Sequence, residues 1–200
     1  METRFRVNIK LRWGIVEFKK IESIIESDLM GLGFNGYRTD KIYKVSKYVE
    51  NNKLNIEICE EKLHETYVKE WNQNPESLKY FEEIIEQGLS IGCYEDEKLI
   101  GFALIGYFGW NKSMWIENIR VSEEFQGHGI GKKLIDKVIE ASALKGARML
   151  GLETQNTNYP AIEFYKRCGF EISGVDFARY PQRENDCEQV AILMQIGIEK

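Results

Sequence analysis

The sequence predicts an α/β fold in which a mixed central sheet is flanked by helices, with an N-terminal helical elaboration. Three observations carry this. Residues 89–121 hold three short apolar or alternating runs set close together, as antiparallel strands require. Residues 132–145 instead place Leu134, Ile135, Val138, Ile139 and Leu144 at helical spacing, and Gly146 follows as a stop. Strand-like runs then resume at 147–153, 169–175 and 189–196, with a short helical segment at 158–168. Strands on both sides of a strand–loop–helix–strand–helix centre make an α/β sheet.

Taken in order, residues 15–29 carry Ile15, Phe18, Ile21, Ile24, Ile25 and Leu29, which predicts an amphipathic helix. Gly31, Gly33 and Gly36 mark a loop. Leu54, Ile56 and Ile58 alternate within 53–59, a half-buried strand. Residues 64–71 and 75–87 read as helices, with Pro75 suited to a first turn and Gly88 to a stop. Residues 89–94 and 98–108 form a hairpin divided by Glu95, Asp96 and Glu97, and 114–121 adds a third antiparallel strand. The expected organisation is one domain over 1–200, with 1–45 as the elaboration and 89–196 as its core.

Composition narrows the function classes. The 200 residues carry 27 Lys+Arg against 32 Asp+Glu, a formal net charge of −5. A protein whose main partner is nucleic acid should be basic, so that class is disfavoured. No run approaches the ~18–20 apolar residues of a membrane span. The best candidate, 100–110, is short and contains three glycines. The opening METRFRVNIK has no apolar core of a secretory signal, so a cytoplasmic location is expected. Cys59, Cys93, Cys168 and Cys187 are widely spaced and read as buried or free thiols. His64 and His128 lie outside any zinc spacing, and no metal is expected.

Two segments carry chemistry. The first is Gln126-Gly127-His128-Gly129-Ile130-Gly131-Lys132-Lys133, between a strand and a helix. Alternate glycines are expected to turn with positive φ and let a ligand approach. The helix start presents N–H groups that attract an anion such as pyrophosphate. The spacing excludes both GxxxxGK[ST] and GxGxxG. The alternative is a tight strand–helix turn that holds nothing. The second segment runs from Asn158 to Phe170. Asn158 and Tyr165 are seven apart and share a helix face, with small Ala161 beside them. Read alone, this is equally an ordinary core helix anchored by Tyr165.

Together the two segments resemble the GNAT superfamily of acyl-CoA-dependent N-acyltransferases. The Q-x-x-G-x-G loop matches at Gln126, Gly129 and Gly131. The N-x-x-A-x-x-F-Y-x-x-x-G-F pattern matches at Asn158, Ala161, Phe164, Tyr165, Gly169 and Phe170. The resemblance implies a mostly antiparallel sheet and acetyl-CoA as cosubstrate. It implies that the backbone of Ile119, Arg120 and Val121 pairs with the pantetheine arm like an added strand. By the same resemblance, the N–H groups from Gln126 through Gly127, His128, Gly129, Ile130 and Gly131 to Lys132 cradle the pyrophosphate. Asn158 would bond the pantetheine arm, and Tyr165 would serve the departing thiolate.

The runs 115–121, 152–158 and 168–176 are similar to the streptothricin acetyltransferases within that superfamily, although Arg120 stands where a small residue is common. That likeness implies a small cationic acceptor acetylated on a β-lysine amine. An alkylammonium has a pKa of ~10.4, so reaching the neutral nucleophile near neutral pH costs about 4 kcal/mol. The site must desolvate the amine or supply a base. Glu117 is the candidate base, by strand parity with Ile119 and Val121; the alternative is a structural carboxylate. Glu153 is a weaker candidate. Asp176, Glu184, Asp186 and Glu188 either attract the cation or form a solvated face. His128 reads as a loop residue, and Cys168, with no matched histidine, as packing. The expected partners are acetyl-CoA and a small amine, with neither nucleic acid nor membrane, in a monomer or homodimer. Other readings are acetylation of a protein N-terminus, polyamine or other amine metabolite, or a non-catalytic acyl-CoA sensor.

Overall fold

A computed structural model describes residues 7–10, 15–72, 74–180, 183–184 and 187–198. In chain order the elements begin with β1 (Val7–Lys10), β2 (Ile15–Lys20), α1 (Glu26–Gly31), β3 (Gly36–Glu50), β4 (Lys53–Glu70) and α2 (Pro75–Ile85). Next come β5 (Ile91–Glu95), β6 (Lys98–Phe108), β7 (Ser113–Val121), a 3-10 turn (Glu123–Phe125) and α3 (Ile130–Lys145). The chain closes with β8 (Met149–Gln155), α4 (Tyr159–Arg167), β9 (Glu171–Asp176), β10 (Arg183–Glu184), β11 (Cys187–Glu188) and β12 (Ala191–Gly197). The fold is α/β with a mixed, mostly antiparallel sheet flanked by helices, as expected.

The chain divides into two compact units. The first comprises Met1–Asn35, Asn72–Gly151 and Gly197–Lys200. Its strand order is β1-β2-β5-β6-β7, followed by the opening residues of β8. The β5–β6 hairpin turns through Asp96 and Glu97, both at positive φ, the backbone of a two-residue turn that matches strand twist. Its core gathers Ile21, Ile24, Leu29 and Leu32 with Ile84 and Ile85 of α2 and Leu99, Phe102 and Leu104 of β6. Burying each such side chain contributes roughly 1.5–3 kcal/mol. Helix α2 starts at an N-cap where Asn74 accepts from Ser77 N at 2.8 Å and Ser77 Oγ accepts from Asn74 N at 3.2 Å. Helix α3 ends as expected at Gly146, whose φ of +72° admits the left-handed cap.

The second unit comprises Gly36–Trp71 and Leu152–Ile196. It contains the closing residues of β8, the antiparallel β12–β9 pair, α4 and a separate two-stranded sheet of β3 and β4. That long hairpin turns at Asn51 and Asn52, with φ of 50° and 59°.

Three expectations are corrected. Residues 15–29 are not one helix. Val16 and Phe18 are fully buried while Ile15 is exposed, a period of two, and β2 pairs with β1 and β5. Among the described residues of 1–45 the one helix is the six-residue α1, so the helical elaboration expected there is not confirmed. Residues 64–71 are not a helix either. They continue β4, because β3 extends back to Gly36 and offers partners as far as Glu70. Finally, only Gly127 and Gly129 of the loop adopt positive φ; Gly131 already lies in α3.

Candidate functional site

In the first unit, β7 carries Glu117, Ile119, Arg120 and Val121. The β6–β7 register runs Leu104↔Asn118 and then Ile105↔Ile116, leaving Glu117 as an extra residue in a β-bulge. A bulge bends the strand and re-aims side chains, so strict parity with Ile119 and Val121 does not extend through it. Glu117 is partly exposed, and its Oε2 accepts from the Tyr80 hydroxyl of α2 at 2.7 Å. Arg120 sends its Nη2 to the carbonyl of Gly33, while its Nε is buried without a partner. Burial lowers the Arg120 pKa, yet a guanidinium stays charged in proteins.

After β7 the 3-10 turn leads into the glycine loop. Gln126 Nε2 donates to Val121 O at 3.1 Å, tying the loop to the strand end. Gly127 and Gly129 have φ of +76° and +83°, and a Cβ on either would meet nothing. The glycine requirement there is one of backbone conformation, not of crowding. Gly127, His128 and Gly129 are exposed, and Ile130 is buried as the anchor of α3. The first bond of the helical ladder runs from Lys133 N to Gly129 O at 3.1 Å. The turn before it presents the N–H face and positive dipole end that favour an anion. Lys132 pairs with Asp136 at 2.9 Å.

In the second unit, four consecutive polar residues close β8 and open α4. The Tyr37 hydroxyl donates to Gln155 Oε1 at 3.1 Å and lies 2.6 Å from Thr157 Oγ1. Buried Asn156 donates from Nδ2 to Tyr43 O and accepts at Oδ1 from Val190 N, at 2.9 and 2.8 Å. Asn158 caps α4, accepting from Ala161 N at 3.3 Å. That occupies Oδ1 and leaves Nδ2 as a donor. Tyr165 is buried, with its ring edge-on to Phe170 at 5.6 Å. Desolvation holds its hydroxyl well above the ordinary tyrosine pKa, so it stays protonated at neutral pH.

The other candidates fall as follows. Glu153 accepts from Arg179 Nε at 3.0 Å and from the Tyr180 hydroxyl, so both its oxygens are engaged. Asp176 accepts from Ala178 N, a loop contact. Asp186 and the Glu184 side chain lie outside the described residues, and Glu188 is exposed. Among the described residues no cluster of His, Cys, Asp and Glu is arranged to hold a metal, and no helix is long and apolar enough to cross a membrane. Sequence reasoning missed Tyr80 and Tyr180. Neither could be found without tertiary structure, since their partners are 37 and 27 residues away.

Residues 56–170 match the Acetyltransferase (GNAT) family. The chain belongs to that family. GNAT acetyltransferases use acetyl coenzyme A. The chain is 41% identical over 85 residues to a streptothricin acetyltransferase of Streptomyces lavendulae, covering 42% of this chain and 45% of the relative. It thus spans about half the length of that relative. Among solved structures, nourseothricin acetyltransferase superposes with a TM-score of 0.70 at 25% identity, covering 92% of this chain and 99% of the other. A Bacillus anthracis protein in complex with acetyl coenzyme A shares the fold, with a TM-score of 0.68 at 24% identity over 91% and 99% of the two chains.

Proposed function

We propose that this GNAT chain acts in the cytoplasm and transfers an acetyl group from acetyl-CoA to a primary amine of streptothricin, by direct attack in a ternary complex. The observation that carries the reading is the glycine turn at the start of α3, within a chain of the GNAT family and 41% identical over 85 residues to a streptothricin acetyltransferase. The backbone of Ile119, Arg120 and Val121 pairs with the pantetheine arm. The N–H groups from Gly127 to Lys132 receive the pyrophosphate, whereas the expected Gln126 N–H is already donated to Glu123 O. Asn158 donates from its amide to the pantetheine, in keeping with an Oδ1 already used as a cap. Tyr165 protonates or hydrogen-bonds the departing thiolate, in keeping with a hydroxyl that burial keeps protonated.

Glu117 takes the proton from the amine. Its position in a bulge, partly exposed and with one oxygen steadied by Tyr80, supports this role. The amine then attacks the thioester carbon, and the tetrahedral oxyanion is met by a β7 backbone N–H. Collapse of the intermediate expels the CoA thiolate.

The test is CoA release from acetyl-CoA with streptothricin, against polyamines and other amines, with a no-acceptor control and product mass. Acetylated streptothricin formed in preference to the panel is the expected result. Turnover of another amine alone keeps acetyl transfer and removes streptothricin. Acetyl-CoA binding without transfer to any of them leaves a sensor.

A further inference from the structure

The β3–β4 hairpin has a bare edge near its tip. Among the described residues β4 pairs with β3 alone. The turn at Asn51 and Asn52, both at positive φ, closes on the pair Glu50↔Lys53. In a two-residue turn of this kind that pair exchanges main-chain bonds, and alternation then points the N–H and C=O of Lys53, Asn55 and Glu57 inward to β3. Leu54 and Ile56 turn theirs outward. Their side chains are 61% and 44% exposed, and Val49, opposite Leu54 on the same face, is 73% exposed. A strand edge with open main-chain groups and apolar side chains is a template for another strand.

The edge reads Lys53-Leu54-Asn55-Ile56-Glu57. From either end it runs charged, apolar, polar, apolar, charged, with opposite signs at the two ends. Laid antiparallel against itself about Asn55, it sets Lys53 opposite Glu57, Leu54 opposite Ile56 and Asn55 opposite its own copy. The outward groups of Leu54 and Ile56 then meet in pairs that exchange both main-chain bonds. The unlike charges fall at the positions between, where side chains come closest. Other registers lose this match. Centring on Glu57 sets that carboxylate against itself, and centring on Leu54 or Ile56 leaves Lys53 facing Asn55 or Cys59. Among the described residues no ion pair engages Lys53 or Glu57. Glu57 accepts from the Tyr48 hydroxyl through Oε1 at 2.8 Å, which steadies the carboxylate and leaves Oε2 for a lysine.

We infer that the β4 edges of two copies of this chain pair antiparallel about Asn55, joining their hairpins into a four-stranded sheet. The occupant is a second copy because the charge order of the edge complements itself. An edge this short buries less than the ~1,200 Å² at which standard interfaces begin, so the dimer is weak and reversible. The inference does not depend on acetyl transfer.

Sedimentation equilibrium of the full chain, carried up to roughly 0.5 mM, reads the association. A monomer–dimer equilibrium is expected. Lys53→Glu and Glu57→Lys each set like charges face to face and should weaken it at least fivefold. Both residues are exposed, and Tm confirms that each variant is folded. Lys53→Glu combined with Glu57→Lys exchanges the signs and should bring the association back to within twofold of the parent. An equimolar mixture of the two single variants should do the same, because their heterodimer pairs unlike charges at both ends. Asn55→Cys in a Cys59→Ser background is a reading that does not depend on charge. The introduced thiols meet on the two-fold axis, so mild oxidation should give a covalent dimer. In the parent, Cys59 faces Asn51 of the other copy and should stay unlinked. A chain that remains monomeric over the whole range overturns the inference. So does a dimer indifferent to both charge reversals, which would place the contact elsewhere, and so does failure of the double variant to restore it, which would refute the register. Loss or presence of acetyl transfer alters none of these outcomes.

Discussion

Tyr165 is a phenol whose burial moves its ionisation upward, and the sign of that shift sets what its loss should do. The proton is present throughout the range in which the enzyme would be assayed, so its contribution does not titrate there. Tyr165→Phe is expected to lower kcat by about 10²-fold, evenly from pH 6 to 9, with little change in the KM for acetyl-CoA. A kcat loss that varies with pH across that interval would contradict the assignment. Asn156 offers a stability counterpart. Its side chain meets Tyr43 O and Val190 N, and its own N–H and carbonyl are bonded to Val190 O and Tyr43 N. Asn156→Ala strands two buried backbone groups and should cost ~2–4 kcal/mol, read as a drop in the denaturation midpoint. The places of Asn158 at the start of α4 and of Tyr165 within it were legible because helical spacing marks that element. The duties of Gln155, Asn156 and Thr157 were not, because their partners Tyr37, Tyr43 and Val190 lie 34 to 120 residues away.

Among the elements, α2 has its stability written locally. Asn74 and Ser77 close the N-terminus reciprocally and Pro75 begins the first turn. Asn74→Ala removes the cap and should cost about 1 kcal/mol, seen as a lower Tm with the helix otherwise intact. The same locality explains why α2, α3, α4 and the β5–β6–β7 meander were read correctly. Each announces itself by period, cap or turn. The failures came where two periods compete. Ile15, Phe18 and Ile21 are three apart, which suits a helix, yet Val16 and Phe18 are the residues buried by the strand. At the end of β4, Tyr67 and Trp71, the residue that follows the strand, are four apart, but both belong to an aromatic group around Tyr37, with centroids 6.0 and 5.6 Å from its ring. The missed β3 did leave one local sign. Asn51-Asn52 is a pair that accepts positive φ in a two-residue hairpin turn.

Across the whole molecule, burial of weak acids makes alkaline pH the vulnerable side. Desolvation pushes the Cys93 thiol up to about 12 and the Tyr94 phenol up to about 12. Both folded values exceed the unfolded ones, near 8.5 and 10. Above pH 8.5 the unfolded chain sheds protons that the folded chain retains, so stability falls as pH rises, until both folded groups ionise near 12. For the fully buried thiol the slope approaches about 1.4 kcal/mol per pH unit in that window. Denaturant melts at pH 8, 9.5 and 11 should show the decline, and Cys93→Val should make it shallower. A midpoint that is flat up to pH 11 would exclude this account. The α/β class and its sheet were legible at this scale because the central elements are contiguous in sequence. The division into two units was not, because each unit draws on separated stretches of chain.

That division has a consequence for synthesis. The second unit needs Gly36–Trp71 and Leu152–Ile196, and about eighty residues must be translated between them. At ~5–20 residues per second, the first stretch leaves the ribosome roughly 4–16 s before its complement begins to emerge. The β3–β4 hairpin can close during that wait, since its strands pair with each other. Tyr37, Ile42, Tyr43 and Tyr67, buried in the finished protein, are meanwhile without Gln155, Asn156, Thr157 and Gln189. A nascent chain halted near residue 150 therefore holds an aromatic hairpin in water, and that interval is when a chaperone would find it.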